Sequence, residues 1–172
     1  MFEEILSLLY PMMLGIGRIE TSHLLQHNGV FQYLTGLPTY PSPTTLRRFL
    51  LRMAPEALLK LRRLHDTLLA IMAQRPTPPR SVIFDLDSTV LTLYGKQEQA
   101  QVGYNPTKHG RASYHPLLCF NGATKDYWHG ELRPGNAYTS SGTLELLEAS
   151  FTKLPKSVKV VKIRADKGFF DH

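Results

Sequence analysis

The rhythm of apolar and polar positions changes once along the chain, near residue 80. Before that point apolar residues recur at helical spacing; beyond it they cluster in short runs of strand length. Phe2 to Leu14 predicts a first helix, spoiled near its end by Pro11. Glu20 to His27 predicts a second, stopped by Asn28-Gly29, and Val30 to Thr35 a short turn of helix ended by Gly36. Ser42-Pro43 is a strong start signal, serine as N-cap and proline at the first helical position. After it Leu46, Phe49 and Leu50 share one face, with Arg47, Arg48 and Arg52 largely on the other. Pro55 opens a long helix whose expected apolar stripe is Leu58, Leu61, Leu64, Leu68 and Ile71. The pattern predicts a helical region over residues 1–75. RPTPPR, Arg75 to Arg80, lacks an apolar anchor and predicts a stiff linker over residues 76–80.

Residues 81–172 then read as a second region. SVIFDLD, from Ser81, predicts a strand, with Val90 to Tyr94 extending it or forming a second piece. Gly95 to Ala112 is polar and predicts a long loop. Ser113 to Phe120 predicts a strand, Asn121-Gly122 a turn, and Tyr127 to Leu132 the hairpin partner. Ser140 to Phe151 predicts a helix with Leu144, Leu147 and Phe151 inward, and Val158 to Ile163 a last strand. The order strand, strand, strand, helix, strand is an α/β arrangement that opens with an antiparallel meander. It resembles the order of a ribonuclease-H-like fold; a doubly wound fold places a helix directly after its first strand.

Charge adds to this picture. The net charge is +6, and eight basic residues against two acidic ones between Thr44 and Arg80 account for all of it. A block of this kind suits a polyanion such as nucleic acid, or is a solvated helix face. Short helices followed by a Pro-started basic helix resemble a helix-turn-helix reader, with a small bundle of basic surface as the alternative. The arginines expected to meet DNA are Arg47, Arg48, Arg52, Arg62 and Arg63. One cysteine, Cys119, excludes an internal disulfide, fits a reducing cytoplasm and reads as a small buried hydrophobe. Glu3 and Glu4 sit where a signal peptide carries positive charge, and no run is long enough to span a membrane.

The chemistry concentrates at Asp85 and Asp87, at the carboxyl end of the first predicted strand, where α/β proteins bind ligands and metals. Two acids on one face of a rigid strand suit a hard cation such as Mg²⁺, or an aspartate nucleophile with an acid/base partner. Asp166 follows the apolar run VKVVKI in the same way and precedes Gly168; an ordinary strand-end turn is its plainer reading. Two neighbouring carboxylates repel unless a cation lies between them. A pair of Mg²⁺ ions about 3.5–4 Å apart clamps the attacking and leaving oxygens of a phosphodiester. That arrangement predicts that the tips of the first and last strands converge.

Four segments in order, DLDSTVLTLYGKQEQA, GYNPTKHGRASYHPLLCF, LRPGNAYTSSG and VKIRADKGFF, resemble the DDE transposases of bacterial insertion sequences, the group 1 subset. FQYLTGLPTYPSPTTLRRF resembles the helical region that precedes the catalytic part in that family. The resemblance implies a ribonuclease-H-like core, two Mg²⁺ or Mn²⁺ ions, double-stranded DNA at transposon ends as partner, and a homodimer as the complete enzyme. It makes Asp87 the first catalytic acid and metal ligand and Asp166 the second, with Asp85 a weaker candidate for the first. It puts Tyr104, Lys108, Arg111 and His115 in a loop that meets the DNA backbone. The family's third acid, a glutamate, lies on a helix well beyond the second aspartate. Glu145 and Glu148 precede Asp166, and the sequence ends at His172, so the chain is expected to be a truncated, inactive amino-terminal part of a transposase.

Two rivals stand beside it. FDLDST also resembles the first motif of a haloacid-dehalogenase-type phosphatase, with Asp85 as nucleophile and Asp87 as acid/base. The short motif does not separate the two readings; the polar loop and hairpin that follow, where the phosphatase has a helix, favour the transposase. The second rival is a non-enzymatic DNA-binding fragment using the basic helices.

Overall fold

The computed structural model describes residues 2–74 and 79–170. The fold is mixed α/β, and it divides into two compact units, residues 1–63 and 64–172. Of the linker expected at 76–80, residues 76–78 lie outside the described residues. No helix among the described residues is long and apolar enough to cross a membrane.

The first unit is helical. It contains α1 (Phe2–Met13), a 3₁₀ turn at Glu20–Leu25, α2 (Gly29–Thr35), α3 (Pro43–Leu51) and the start of α4 (Pro55–Ala73). Local chemistry sets its boundaries. The Asn28 side chain accepts a hydrogen bond from Phe31 N at 2.9 Å and caps α2, and Gly36 ends that helix in the left-handed region at φ 68°. Ser42 caps α3 by accepting from Thr45 N at 3.2 Å. Leu25, Leu37, Tyr40 and Leu46 form a small core, edged by Tyr10 and Phe31. Tyr10, Phe31 and Tyr40 meet edge to face, and the Tyr40 hydroxyl donates to Ser7 O at 2.6 Å.

The second unit is built on a four-stranded sheet. Its strands are β1 (Ser81–Ser88), β5 (Leu117–Asn121), β6 (Tyr127–Glu131) and β7 (Val160–Arg164), in the order β6-β5-β1-β7. β1 pairs antiparallel with β5 and parallel with β7. A second sheet, order β2-β4-β3, joins β2 (Leu91–Thr92), β3 (Gln101–Val102) and β4 (Ala112–Tyr114). The single strand expected over 113–120 is therefore two. The break falls at His115-Pro116, where proline supplies no N–H to a ladder. The loop expected over 95–112 carries β3.

Even-numbered positions of β1 face the core. Val82, Phe84 and Leu86 pack with Leu117, Cys119, Trp128, Leu69 of α4, and Leu146 and Leu147 of α5 (Thr143–Phe151). Trp128 donates its indole N–H to Ser150 O at 3.0 Å, which fixes α5 against the sheet. Two predicted apolar stripes are corrected here. Leu58, Leu64, Leu68 and Ile71 of α4 and Leu144 of α5 are exposed, and the buried positions are Leu69, and Leu146 with Leu147 and Ser150. Polar anchors account for the shift in α4. His65 bonds Tyr127 O at 3.0 Å and Asp66 pairs with Lys153 at 2.7 Å, which turns the face of 65, 66 and 69 inward. Cys119 is fully buried, and burial pushes its thiol up to about 11, as fits an inert apolar side chain.

Candidate active site

Odd-numbered residues of β1 point to the other face of the sheet, so Ile83, Asp85 and Asp87 share it. The parallel register pairs Ser81 with Val160 and runs to Asp85 opposite Arg164. Asp85 and Arg164 are 79 residues apart, and the same offset brings Asp87 level with Asp166 just beyond the paired stretch. The two strand tips converge. Both carboxylates are exposed. Asp166 Oδ1 accepts from Gly168 N at 2.9 Å, an Asx turn that directs the chain away from the sheet.

Asp85 has a different environment. Arg164 grips it from both sides, Nε to Oδ1 at 2.7 Å and Nη2 to Oδ2 at 2.5 Å, and Lys125 Nζ reaches Oδ2 at 3.3 Å. The Arg164 guanidinium foremost, with Lys125 behind it, holds the Asp85 carboxyl below the usual carboxylate range, against the opposing effect of burial. Gly122 makes room for this group: a Cβ there would lie 2.9 Å from Asp85 Oδ1. Lys125 sits in the left-handed region at φ 64°, the backbone conformation that turns the hairpin beneath the acid. Both Asp85 oxygens are thus already bonded to cationic side chains, with which a metal ion or an electrophile would have to compete. The segment after β1 leads into the small sheet, not into the helix that the phosphatase reading requires.

Among the described residues, neither Asp87 nor Asp166 has a basic partner within ion-pair distance, in contrast to Asp85. Two exposed, level oxygen donors fit a hard divalent cation. No group of three His, Cys, Asp or Glu side chains able to hold a metal occurs among the described residues. Glu145 and Glu148 lie on exposed positions of α5.

The loop between β3 and β4 is tied back to the segment that follows β1. Buried Asn105 shapes it: its Oδ1 accepts from Thr107 N at 3.1 Å and Lys108 N at 2.9 Å, and its Nδ2 donates to Thr92 Oγ1 at 2.8 Å. Lys108 and Arg111 are exposed on this loop, and the Arg111 guanidinium lies 5.5 Å from the Tyr94 ring centroid. Tyr104 is 76% exposed. His115, expected to face DNA, is corrected. It is 7% exposed and both ring nitrogens are engaged, by Ala137 O and by Ser88 Oγ, which leaves the ring no free nitrogen for a phosphate. In the helical unit Arg47, Arg48, Arg52, Arg62 and Arg63 all lie at exposed positions, and Arg47 pairs with Glu20. Reading the sequence missed buried Asn105 and Arg133; the position of Arg133 between a strand and a Pro-Gly turn was its one signal.

The model of the transposase DDE domain group 1 family matches residues 3–172. The chain belongs to that family. No curated protein matches it. A solved structure described as the Drosophila P element transposase strand transfer complex is similar at TM-score 0.39 and 14% identity. That likeness covers 93% of this chain and 37% of the other, so the chain spans little more than a third of that protein's length. Within the DDE family frame, the converging aspartates and the loop that carries Lys108 and Arg111 are the features with chemistry to offer.

Proposed function

We propose that the chain is the part of a DDE transposase that supplies two metal-binding carboxylates, Asp87 and Asp166, for cleavage and joining of DNA strands at insertion-sequence ends. One observation carries the reading: β1 and β7 are parallel neighbours, paired as far as Asp85 and Arg164, two residues before each acid. The sheet order β6-β5-β1-β7, with α5 between β6 and β7, supports a ribonuclease-H-like core. Asp87 and Asp166 would hold Mg²⁺ or Mn²⁺. The metal would polarise the phosphodiester and lower the pKa of an attacking water or 3′-hydroxyl. Asp85 stays with Arg164 and Lys125 and stiffens the end of β1. Double-stranded DNA is the partner, engaged through phosphate contacts by Arg48, Arg52, Arg62 and Arg63 of a helix-turn-helix-like region and by Lys108 and Arg111 of the β3–β4 loop. The complete enzyme acts as a homodimer.

Two carboxylates hold a divalent ion weakly, so metal binding by Asp87 and Asp166 is expected to be weak. Titration with Mn²⁺, followed by the paramagnetic signal of the free ion, tests the site. Binding that disappears in Asp87→Asn and in Asp166→Asn is expected; binding indifferent to both substitutions would end the reading. A nicking assay on end-containing DNA with Mg²⁺ or Mn²⁺ tests the rest. Cleavage abolished by Asp87→Ala would support the catalytic reading, and cleavage indifferent to that substitution would refute it. Salt-dependent DNA binding that survives both substitutions, with no metal bound by the unaltered chain, would favour a DNA-binding module without chemistry.

A further inference from the structure

Neither acid stands on its strand alone. Two bonds away from each lies Arg133, a charged side chain only 7% exposed, whose partners His115 and Thr139 contact the neighbours of the acids. Its Nε donates to His115 O at 2.9 Å, and His115 N donates back to Arg133 O at 2.9 Å. Its Nη1 donates to Tyr138 O at 3.0 Å, to Thr139 O at 3.3 Å and to Ser141 O. One guanidinium thus organises two segments, the His115-Pro116 break between β4 and β5 and the loop from Pro134 to Ser141. Nη2 is buried without a hydrogen-bond partner among the described residues. Burial pulls the guanidinium's pKa below its ordinary value, partly opposed by Glu131. A buried charge with an unmet donor is costly to fold. A plain turn would be made more cheaply by an apolar residue.

Each segment leads to one acid. The Ala137 carbonyl only accepts, so the Nδ1 of His115 that contacts it at 2.9 Å carries the proton. In the neutral ring Nε2 is then the acceptor, and Ser88 Oγ donates to it at 3.2 Å. Ser88 is the residue after Asp87 and points to the opposite face, so this bond pins the strand end from behind. On the other side Thr139 packs against the turn that carries Asp166. A Cβ at Gly168 would lie 3.3 Å from Thr139 Cγ2, and Gly168 is the residue whose N–H bonds Asp166.

We infer that Arg133 is a positioning residue shared by both acids, acting on Asp87 through His115 and Ser88 and on Asp166 through Thr139. It touches neither carboxylate; it sets the separation of the two tips. The assignment rests on the proposed metal reading only for its consequence, not for the support itself.

Amide exchange measured by NMR and Mn²⁺ titration together test it. In Arg133→Met, exchange rises at residues 87–90 and at 166–169, while the amides of 82–86 and of α5 stay protected. Mn²⁺ binding weakens by about tenfold, as is usual when support behind metal ligands is removed. Arg133→Lys keeps the charge but not the fork and gives the same pattern, more weakly. Should Arg133→Met fail to fold, the His115 pair carries the test. His115→Asn puts its amide where Nδ1 was, keeps the Ala137 bond and loosens only 87–90. His115→Gln reaches Ser88 in the manner of Nε2 and stays close to the unaltered chain at that tip. Unchanged exchange at both tips in Arg133→Met, or equal loosening of the whole sheet, would overturn the inference, as would matching behaviour of the two His115 variants. If the unaltered chain binds no Mn²⁺ while Arg133→Met still frees both tips, the support stands and the metal reading falls.

Discussion

The helical unit and the sheet unit are held together over different distances along the chain. In the first, most polar fixtures are local: Ser7 to Glu3 O, Asn28 to Phe31 N and Ser42 to Thr45 N all join residues three or four apart. Its fully buried apolar core is four residues, Leu25, Leu37, Tyr40 and Leu46. In the second, nine buried residues from α4, β1, β5, β6 and α5 share one core among the described residues, and Arg164 reaches Asp85 across 79 residues. Local fixtures make helices that tolerate change one turn at a time. Long-range register places two acids side by side only if the whole sheet is right, so the chemistry of this chain depends on its less local half.

The sharpest way to break the comparison is to empty each core in turn. Phe84 is fully buried against Trp128 and Phe151, at ring distances of 5.4 and 6.1 Å. Phe84→Ala is expected to cost about 3–5 kcal/mol and to raise amide exchange throughout β1, β5 and β7. Leu46→Ala is expected to cost about 2–5 kcal/mol with exchange rising in α1 to α3 instead. Denaturant melts give the magnitudes and NMR exchange the location. Variants that each loosened both regions alike would erase the division.

Gly122→Ala comes next, since its methyl would press on Asp85 Oδ1 at 2.9 Å and on the Ile83 side chain at 3.1 Å. Overpacking of this kind costs about 1–3 kcal/mol. Loss of the chemical-shift signature of the Arg164 Nε–H bond to Asp85 would report it; an unchanged signature would show that the hairpin yields instead.

Asp85→Asn sharpens the electrostatic side. Asp85 has a folded pKa below its unfolded value of about 3.9, so its ion pair stabilises the chain fully above about pH 4. That contribution is lost as pH falls through the depressed folded value. The stability gap between the parent chain and Asp85→Asn is therefore expected to be constant near neutrality and to close in acid. Melts from pH 7 down to pH 3 check it, and a gap that widened on acidification would contradict the assignment. The smallest effect belongs to the helical unit: Ser42→Ala removes the cap of α3 and is expected to cost about 1 kcal/mol.

These regions also differ in how openly they were written in the sequence. The start of α3 at Pro43 could be read directly, because Ser-Pro acts on its own neighbours. The end of α2 at Gly36 was equally plain. The buried faces of α4 and α5 were read one or two positions off. Periodicity names a set of apolar residues, but the choice of face was made by partners outside the helix, Tyr127 and Lys153 for His65 and Asp66 of α4 and the Trp128 indole for the Ser150 carbonyl of α5. In the sheet unit the strand that ends in Asp87 was plain from its apolar run, whereas the split at His115-Pro116 was not.

From residue order alone came the pair of acid-tipped strands, the family resemblance, the basic block and the capped helices, because each is a property of a few adjacent side chains. Tertiary structure alone decided that Asp85 is paired with Arg164 and Lys125, that His115 is buried, and that the Arg133 guanidinium is buried on the His115 carbonyl. Which carboxylate stays open to a cation depends on what the fold brings beside it, and a neighbour 79 residues away leaves no mark on the local pattern.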